Sequence, residues 1–263
     1  MFRSLLAVSL LLSSLPAFAA MQAKPIEYKV GEDSFSGYLV YDDANTERRP
    51  GLVMVPNWMG ATQDSVEKAK QIAGADYVVL VADVYGQGVR PKDAKEAGAQ
   101  VREVYSDGGV TLRARVAEAV KVLKAQAGDA PVDAARIGAL GFCFGGSAVL
   151  ELARSGSDIS GGVVSLHGGL ESYLPTQGNV IRTPVLVLNG ASDASVTAQN
   201  IADFRKEMDA AKADWQFVDF GGAVHCFTQP ESNSPPNCVY NERAARRASR
   251  MMRDFFAEQF AAK

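Results

Sequence analysis

One segment restricts the possible folds more than any other: Arg136-Ile-Gly-Ala-Leu-Gly141-Phe142-Cys143-Phe144-Gly145-Gly146-Ser147. A short apolar run, Ile137 to Gly141, leads directly into Gly-x-Cys-x-Gly and then into the helical stretch Ala148 to Ala153. A strand that turns into a helix this sharply forces the central residue into strained backbone angles and brings neighbouring chains close. The positions two before and two after must therefore lack side chains. The pattern is a nucleophile elbow with Cys where Ser is usual. The helix that follows aims its N-terminus at the sulfur, where its dipole favours a thiolate and a developing oxyanion.

The elbow needs a parallel sheet around it, and the rest of the chain supplies the signals for one. Gly51 to Pro56, Tyr77 to Ala82, Val163 to Leu166, Pro184 to Leu188 and Trp215 to Phe220 are short, continuous apolar runs, typical of strands covered on both faces. Helical stripes lie between them: Val66, Ala69, Ile72 and Ala73; Leu112, Val116, Ala119, Val120 and Leu123; Ile201, Phe204, Met208 and Ala211; Ala244, Ala248, Met251, Phe255 and Phe256. Ahead of them, Ile26 to Val30 and Phe35 to Tyr41 alternate around a Gly-Glu-Asp turn and predict an antiparallel hairpin. The expected architecture is α/β, a mostly parallel central sheet with helices on both faces and an N-terminal antiparallel hairpin. Segments 84 to 106 and 168 to 182 read as irregular.

Residues 1 to 19 carry a different signal. Arg3, the 11-residue apolar stretch Leu5 to Leu15 and Ala17-Phe18-Ala19 form the n-region, h-region and cleavage pattern of a secretory signal peptide. Removing 19 residues from 263 leaves 244, residues 20 to 263, expected to form one domain in the periplasm or outside the cell. That apolar run is too short to span a bilayer and no second follows, so no membrane span is expected after cleavage. A net charge of −3 does not suit a nucleic-acid backbone as partner. The five arginines from Arg243 to Arg253 share their helix with Glu242, Asp254 and Glu258, which reads as a solvated outer face. With 2 His and 3 Cys, neither a multi-histidine metal site nor a disulfide scaffold is expected.

A nucleophile elbow calls for an acid and then a His further along the chain. Asp193 follows the strand Pro184 to Leu188, and His225 follows the strand Trp215 to Phe220. Both therefore fall beyond carboxyl ends of parallel strands, where open sheets build their sites. His225 would take the thiol proton, with Asp193 fixing its tautomer. His167 ends the strand Val163 to Leu166 but precedes Asp193, the wrong order for a base, and reads as a pocket or scaffold residue. The oxyanion hole needs the N–H of Phe144 and a second donor, and Trp58 in the loop Pro56 to Gly60 is in position to provide it.

On these residues the chain resembles the dienelactone hydrolase family. The likeness runs from about Ile26 to Phe260 and rests on Gly141 to Gly145, Asp83-Val84-Tyr85, Asn189 to Asp193 and Ala223 to Phe227. It implies an α/β-hydrolase fold, hydrolysis of a small-molecule ester or lactone without any cofactor, and the triad Cys143, Asp193 and His225. It also implies backbone oxyanion donors at Trp58 and Phe144. Asn57, Tyr85, Gln87, His167 and Gln229 would face the substrate. Members that cleave dienelactone carry a Glu at the Asn57 position and arginines at the Gln87 and Gln229 positions. Asn57 cannot take a proton, so a neutral ester or lactone is expected in place of dienelactone, although Arg90 lies close enough in sequence to stand in for one arginine.

Cys226 and Cys238 flank the loop Phe227 to Asn237. In an oxidising compartment they could pair and pin the loop of His225; otherwise they are two free thiols. Two other functions compete with hydrolysis. Asn57 is compatible with a binding protein that keeps the fold for a small hydrophobic ligand. Thiol–disulfide exchange through Cys226 and Cys238 lacks the Cys-x-x-Cys spacing that such chemistry uses.

Overall fold

The computed structural model describes residues 21–176 and 180–261; the signal-peptide reading over residues 1–19 lies outside these residues. Eight strands form one sheet in the order β1-β2-β4-β3-β5-β6-β7-β8. β1 (Met21–Val30) and β2 (Asp33–Asp42) form the predicted antiparallel hairpin, each longer than the alternating segment that announced it. β2 joins β4 (Val78–Val81) antiparallel, and from there every pairing is parallel, through β3 (Arg49–Val55), β5 (Val132–Phe142), β6 (Val163–Leu166), β7 (Val185–Gly190) and β8 (Trp215–Phe220).

Two apolar cores lie on opposite faces of this sheet. One packs α1 (Gln63–Ala73) and α6 (Glu242–Ala261) against Leu52, Met54, Leu140, Leu166 and Leu188. The other gathers α2 (Ala94–Val104), α3 (Val110–Ala125), α4 (Phe144–Arg154) and α5 (Ala198–Ala210) over Val53, Val55, Ala139, Val163 and Val187. Alternate residues of a strand point to opposite faces, so strands covered twice are apolar throughout.

Three details depart from the sequence reading. The segment taken as irregular contains α2, capped by Asp93, whose carboxylate accepts from the N–H groups of Lys95 and Glu96. Its buried face consists of little more than Ala97 and Val104, too thin a stripe to register as a period. On α6 the buried methionine is Met252, while Met251 sits at the edge of the stripe, 40% exposed. The loop between Cys226 and Cys238 holds a two-residue ladder, β9 (Asn233–Ser234) with β10 (Cys238–Val239).

Charged groups also enter the interior. Arg154, at the end of α4, is fully buried and pairs with Glu151 at 3.0 Å and Glu207 at 2.7 Å. It also donates to the carbonyls of Leu170 and Glu171, and Arg113 donates to those of Leu174 and Pro175. The loop after β6 is thus tied to the body through its main chain. The arginines of α6 face outward, except that Arg253 donates to the carbonyls of Gln71 and Ile72 at the end of α1.

Candidate active site

The elbow forms between β5 and α4. Cys143 has φ 54° and ψ −119°, a conformation that costs a non-glycine residue of order 1–3 kcal/mol and persists only where its surroundings enforce it. The two flanking glycines are the reason it can form. A Cβ on Gly141 would overlap the carbonyl of Gly145, and one on Gly145 would overlap the carbonyls of Val55 and Pro56. These obstacles are backbone and cannot rotate away.

The loops after β7 and β8 bring in two more groups. His225 Nε2 lies 3.0 Å from Cys143 Sγ, and His225 Nδ1 lies 2.7 Å from Asp193 Oδ2. Asp193 is 5% exposed, and its other oxygen accepts from the N–H and the hydroxyl of Ser195, at 2.9 and 2.6 Å. Burial alone would raise this carboxyl, but the hydrogen bonds from His225 and Ser195 outweigh it and hold Asp193 below the usual carboxylate range. Burial likewise opposes the charge on His225. The hydrogen bonds to Asp193 and Cys143 and the charge on both win, and the imidazole is pushed up to about 10. Sequence reasoning had not singled out Ser195, although Asp-x-Ser is a common Asx-turn pattern.

His225 is held from a second side by the loop that follows it. Cys226 and Cys238 are joined in a disulfide with Cα atoms 5.0 Å apart. Cys226 has φ 62°, and Val239 N–H donates to the His225 carbonyl at 3.1 Å.

The N–H groups of Trp58 and Phe144 donate to no acceptor among the described residues. Tyr85 connects the two positions: its hydroxyl donates to the Trp58 carbonyl at 2.9 Å, and its ring stacks on Phe144 with centroids 5.6 Å apart. Burial, with the Cys143 charge next, raises the Tyr85 phenol well above its ordinary value.

The remaining residues expected at the substrate divide into two groups. Asn57, Trp58 and Gln229 line a cavity of about 500 Å3 on the Phe142 side of the elbow. Its lining includes neither Cys143 nor His225, so this cavity does not contain the sulfur. Lys68 also lines it, with its ammonium 4.5 Å from the centre of the Phe142 ring and its pKa lowered by burial. Gln87 and His167 lie elsewhere. Gln87 is exposed and donates to Glu27 on β1, at 3.0 Å. His167 is fully buried behind His225, which leaves it no surface for a substrate to touch. Arg90 does not stand in for a missing arginine either, because its guanidinium is bound to Asp83 and to the carbonyls of Ser36, Gly86 and Val89. Among the described residues, no group of three or more His, Cys, Asp or Glu is arranged to hold a metal ion.

A mostly parallel sheet with an elbow after β5 and polar groups on the loops after β7 and β8 defines an α/β-hydrolase. Comparison with known proteins narrows the class. The description "Dienelactone hydrolase family" matches residues 35–260. A solved structure titled m3DLH is 34% identical, superimposes with a TM-score of 0.84, and the match covers 92% of this chain and 99% of that one. The dienelactone hydrolase-like promiscuous phosphotriesterase P91, from metagenomic libraries, is 32% identical with the same TM-score of 0.84 and the same 92% and 99% coverage. A Bradyrhizobium protein described as "Probable 2-oxo-3-(5-oxofuran-2-ylidene)propanoate lactonase" is 27% identical over 69% of this chain and 75% of its own. The chain belongs to the dienelactone hydrolase family. It is a carboxylic ester or lactone hydrolase of that family.

Proposed function

We propose that the chain is an exported thiol hydrolase that cleaves neutral esters or lactones through a thioester on Cys143. One observation carries this reading: a continuous chain of contacts from Cys143 Sγ to His225 to Asp193, at 3.0 and 2.7 Å, built on a strained elbow.

His225, whose pKa is raised to about 10, is protonated near neutral pH and lies 3.0 Å from the Cys143 sulfur. The Cys143 sulfur attacks the carbonyl carbon, and the oxyanion that forms accepts hydrogen bonds from the N–H groups of Trp58 and Phe144. As the carbon–oxygen bond of the leaving group breaks, His225 Nε2 gives it a proton and becomes neutral. Water then attacks the thioester while giving a proton to His225. The carbon–sulfur bond breaks, the acid departs, and the sulfur regains its protonated partner. Asp193 accepts from Nδ1–H throughout and keeps Nε2 directed at the sulfur.

The substrate is assigned as neutral because Gln229 stands where a carboxylate-binding site would hold arginine, Gln87 is turned away toward Glu27, and Arg90 is committed elsewhere. Cleavage of lactones is supported by the description of the Bradyrhizobium relative. Export rests on the pattern of residues 1–19, and the mass of the mature N-terminus in a periplasmic fraction tests it. For the chemistry, Cys143→Ala is expected to abolish hydrolysis of nitrophenyl acetate with the fold retained. Turnover surviving in that variant overturns the thiol mechanism. A series of esters and lactones graded in size and charge, run beside it, ranks the substrates.

A further inference from the structure

His167 is costly to bury. It is fully enclosed, it has φ 42°, and its Nδ1 has no hydrogen-bond partner. Its other nitrogen, Nε2, lies 2.8 Å from Thr228 Oγ1. The ring stands edge-to-face against His225, centroids 5.1 Å apart, and Phe227 and Phe142 pack around it at 5.5 and 6.1 Å. The following residue, Gly168, lies against the backbone of Gly146 and Ser147, so this end of β6 is wedged against the elbow helix. A phenylalanine would fill the same space without desolvating a polar group, so the imidazole must supply something that a phenyl ring does not.

We propose that His167 is a positioning residue for His225, packing a neutral aromatic ring against it and anchoring the turn from Cys226 to Gln229 through Thr228. This rests on the reading of His225 as the acid–base group above.

The protonation state of His167 follows from its partners. With Nε2–H donating to Thr228, the unpartnered Nδ1 is a bare lone pair, which costs less than a buried N–H with no acceptor. Gaining a proton would create such an N–H and place a second cation beside His225. The charged groups that face His167 are His225 and Lys68, which oppose its protonation, and Asp193, which favours it. Burial is the largest influence and, with the first two charges, holds the imidazole well below its ordinary pKa. His225 itself faces Asp193, Cys143 and His167. A neutral aromatic ring packed at 5.1 Å puts no second positive charge beside the His225 imidazolium, so the neutral state of His167 is the one compatible with a protonated His225. The Thr228 bond works through the backbone. Gln229 N–H donates to the Cys226 carbonyl, so Thr228 lies inside the turn that follows His225.

Because the chain has only 2 histidines, a His167 variant leaves one imidazole signal, that of His225. Its titration is followed by NMR in untagged protein without substrate, beside kcat and KM for nitrophenyl acetate. His167→Leu is expected to lower the His225 midpoint by roughly half a unit to one unit, with kcat reduced roughly tenfold and KM little changed. His167→Phe, which keeps a ring but no bond to Thr228, is expected to hold the midpoint near that of the parent and to lose roughly two- to threefold in kcat. Thr228→Val is expected to match His167→Phe, and the double variant to be no worse than either. An unshifted midpoint in His167→Leu overturns the proposal, as does the same fall with Phe as with Leu. If His167→Leu does not fold, additive losses in the His167→Phe and Thr228→Val cycle overturn it. Turnover surviving Cys143→Ala would count against the thiol mechanism instead, whereas the midpoint is read without any turnover.

Discussion

Removing the disulfide beside His225 has a calculable consequence. Cys226 and Cys238 are 12 residues apart, and closing a loop of that size in the unfolded chain stabilises the native state by about 3 kcal/mol in the chain-entropy model. Other native ties on this segment survive, among them the N–H of Val239 on the His225 carbonyl, that of Asn241 on Phe227, that of Tyr240 on Ser232, and the hydrogen bond between Thr228 and His167, but none of them restricts the unfolded chain. Cys226→Ala with Cys238→Ala is therefore expected to lose about 3 kcal/mol in denaturant unfolding. For a protein of this size, that corresponds to a melting temperature lower by roughly 6 to 12 °C. A second arm separates loop closure from backbone strain. Cys226 has φ 62°, so a glycine there avoids a penalty of about 1–2 kcal/mol that alanine pays. Glycine also loses more freedom on folding, so Cys226→Gly with Cys238→Ala should recover only part of the loss. Treating the parent with a dithiol reductant should move its melt to that of the double-alanine variant and leave the variant unmoved. A variant melting within a degree or so of the oxidised parent would refute the reasoning, because the cross-link would then hold nothing that the surrounding packing does not already hold.

Three further outcomes follow from the same structure. Gly145→Ala places a methyl group inside the carbonyls of Val55 and Pro56, and it should cost roughly 3 kcal/mol or more of stability with loss of hydrolysis, measured by urea unfolding and ester turnover. The His225 proton is a pH-dependent source of stability. Its folded pKa is raised to about 10 from 6.5, so the contribution is complete below about 6.5 and disappears as pH rises through about 10. Unfolding free energies measured from pH 6 to 10.5 should show that decline in the parent and a smaller one in Cys143→Ala, and kcat should fall on the alkaline side as the leaving group loses its proton donor. Arg154→Met takes one of two arginines from Glu151, which keeps Arg113 at 2.7 Å, and frees the carbonyls of Leu170 and Glu171. Roughly 1–3 kcal/mol should be lost, with faster proteolysis in the loop after β6 as the independent readout.

How far the sequence discloses such a site depends on which interactions are local. The sheet was legible because β3 to β7 are covered on both faces, and burial on both faces leaves runs such as Leu52 to Val55 with no polar residue. The elbow was legible because close backbone approach demands glycine at fixed offsets from Cys143. Chain order then led to Asp193 and His225, since loops at the carboxyl ends of adjacent strands meet whatever their length. The residues that were harder to place owe their position to partners distant in sequence. Thr228 lies 61 residues from His167, and nothing around either one announces the pair. Gln87 was assigned by its offset from Tyr85, yet its side chain is bound to Glu27, 60 residues away on the N-terminal hairpin. Arg154 stands at the end of an apolar helix, where a charged residue normally marks the exit to solvent, and Glu207 from α5 turns that exit into an interior. The same distinction separates the two histidines. Position relative to a strand end is enough to find His225, whereas His167 occupies an equivalent strand end and differs only in what covers it. Burial by Phe142, Phe227 and His225 excludes it as a base and makes it a support, and that burial exists only once three segments have come together.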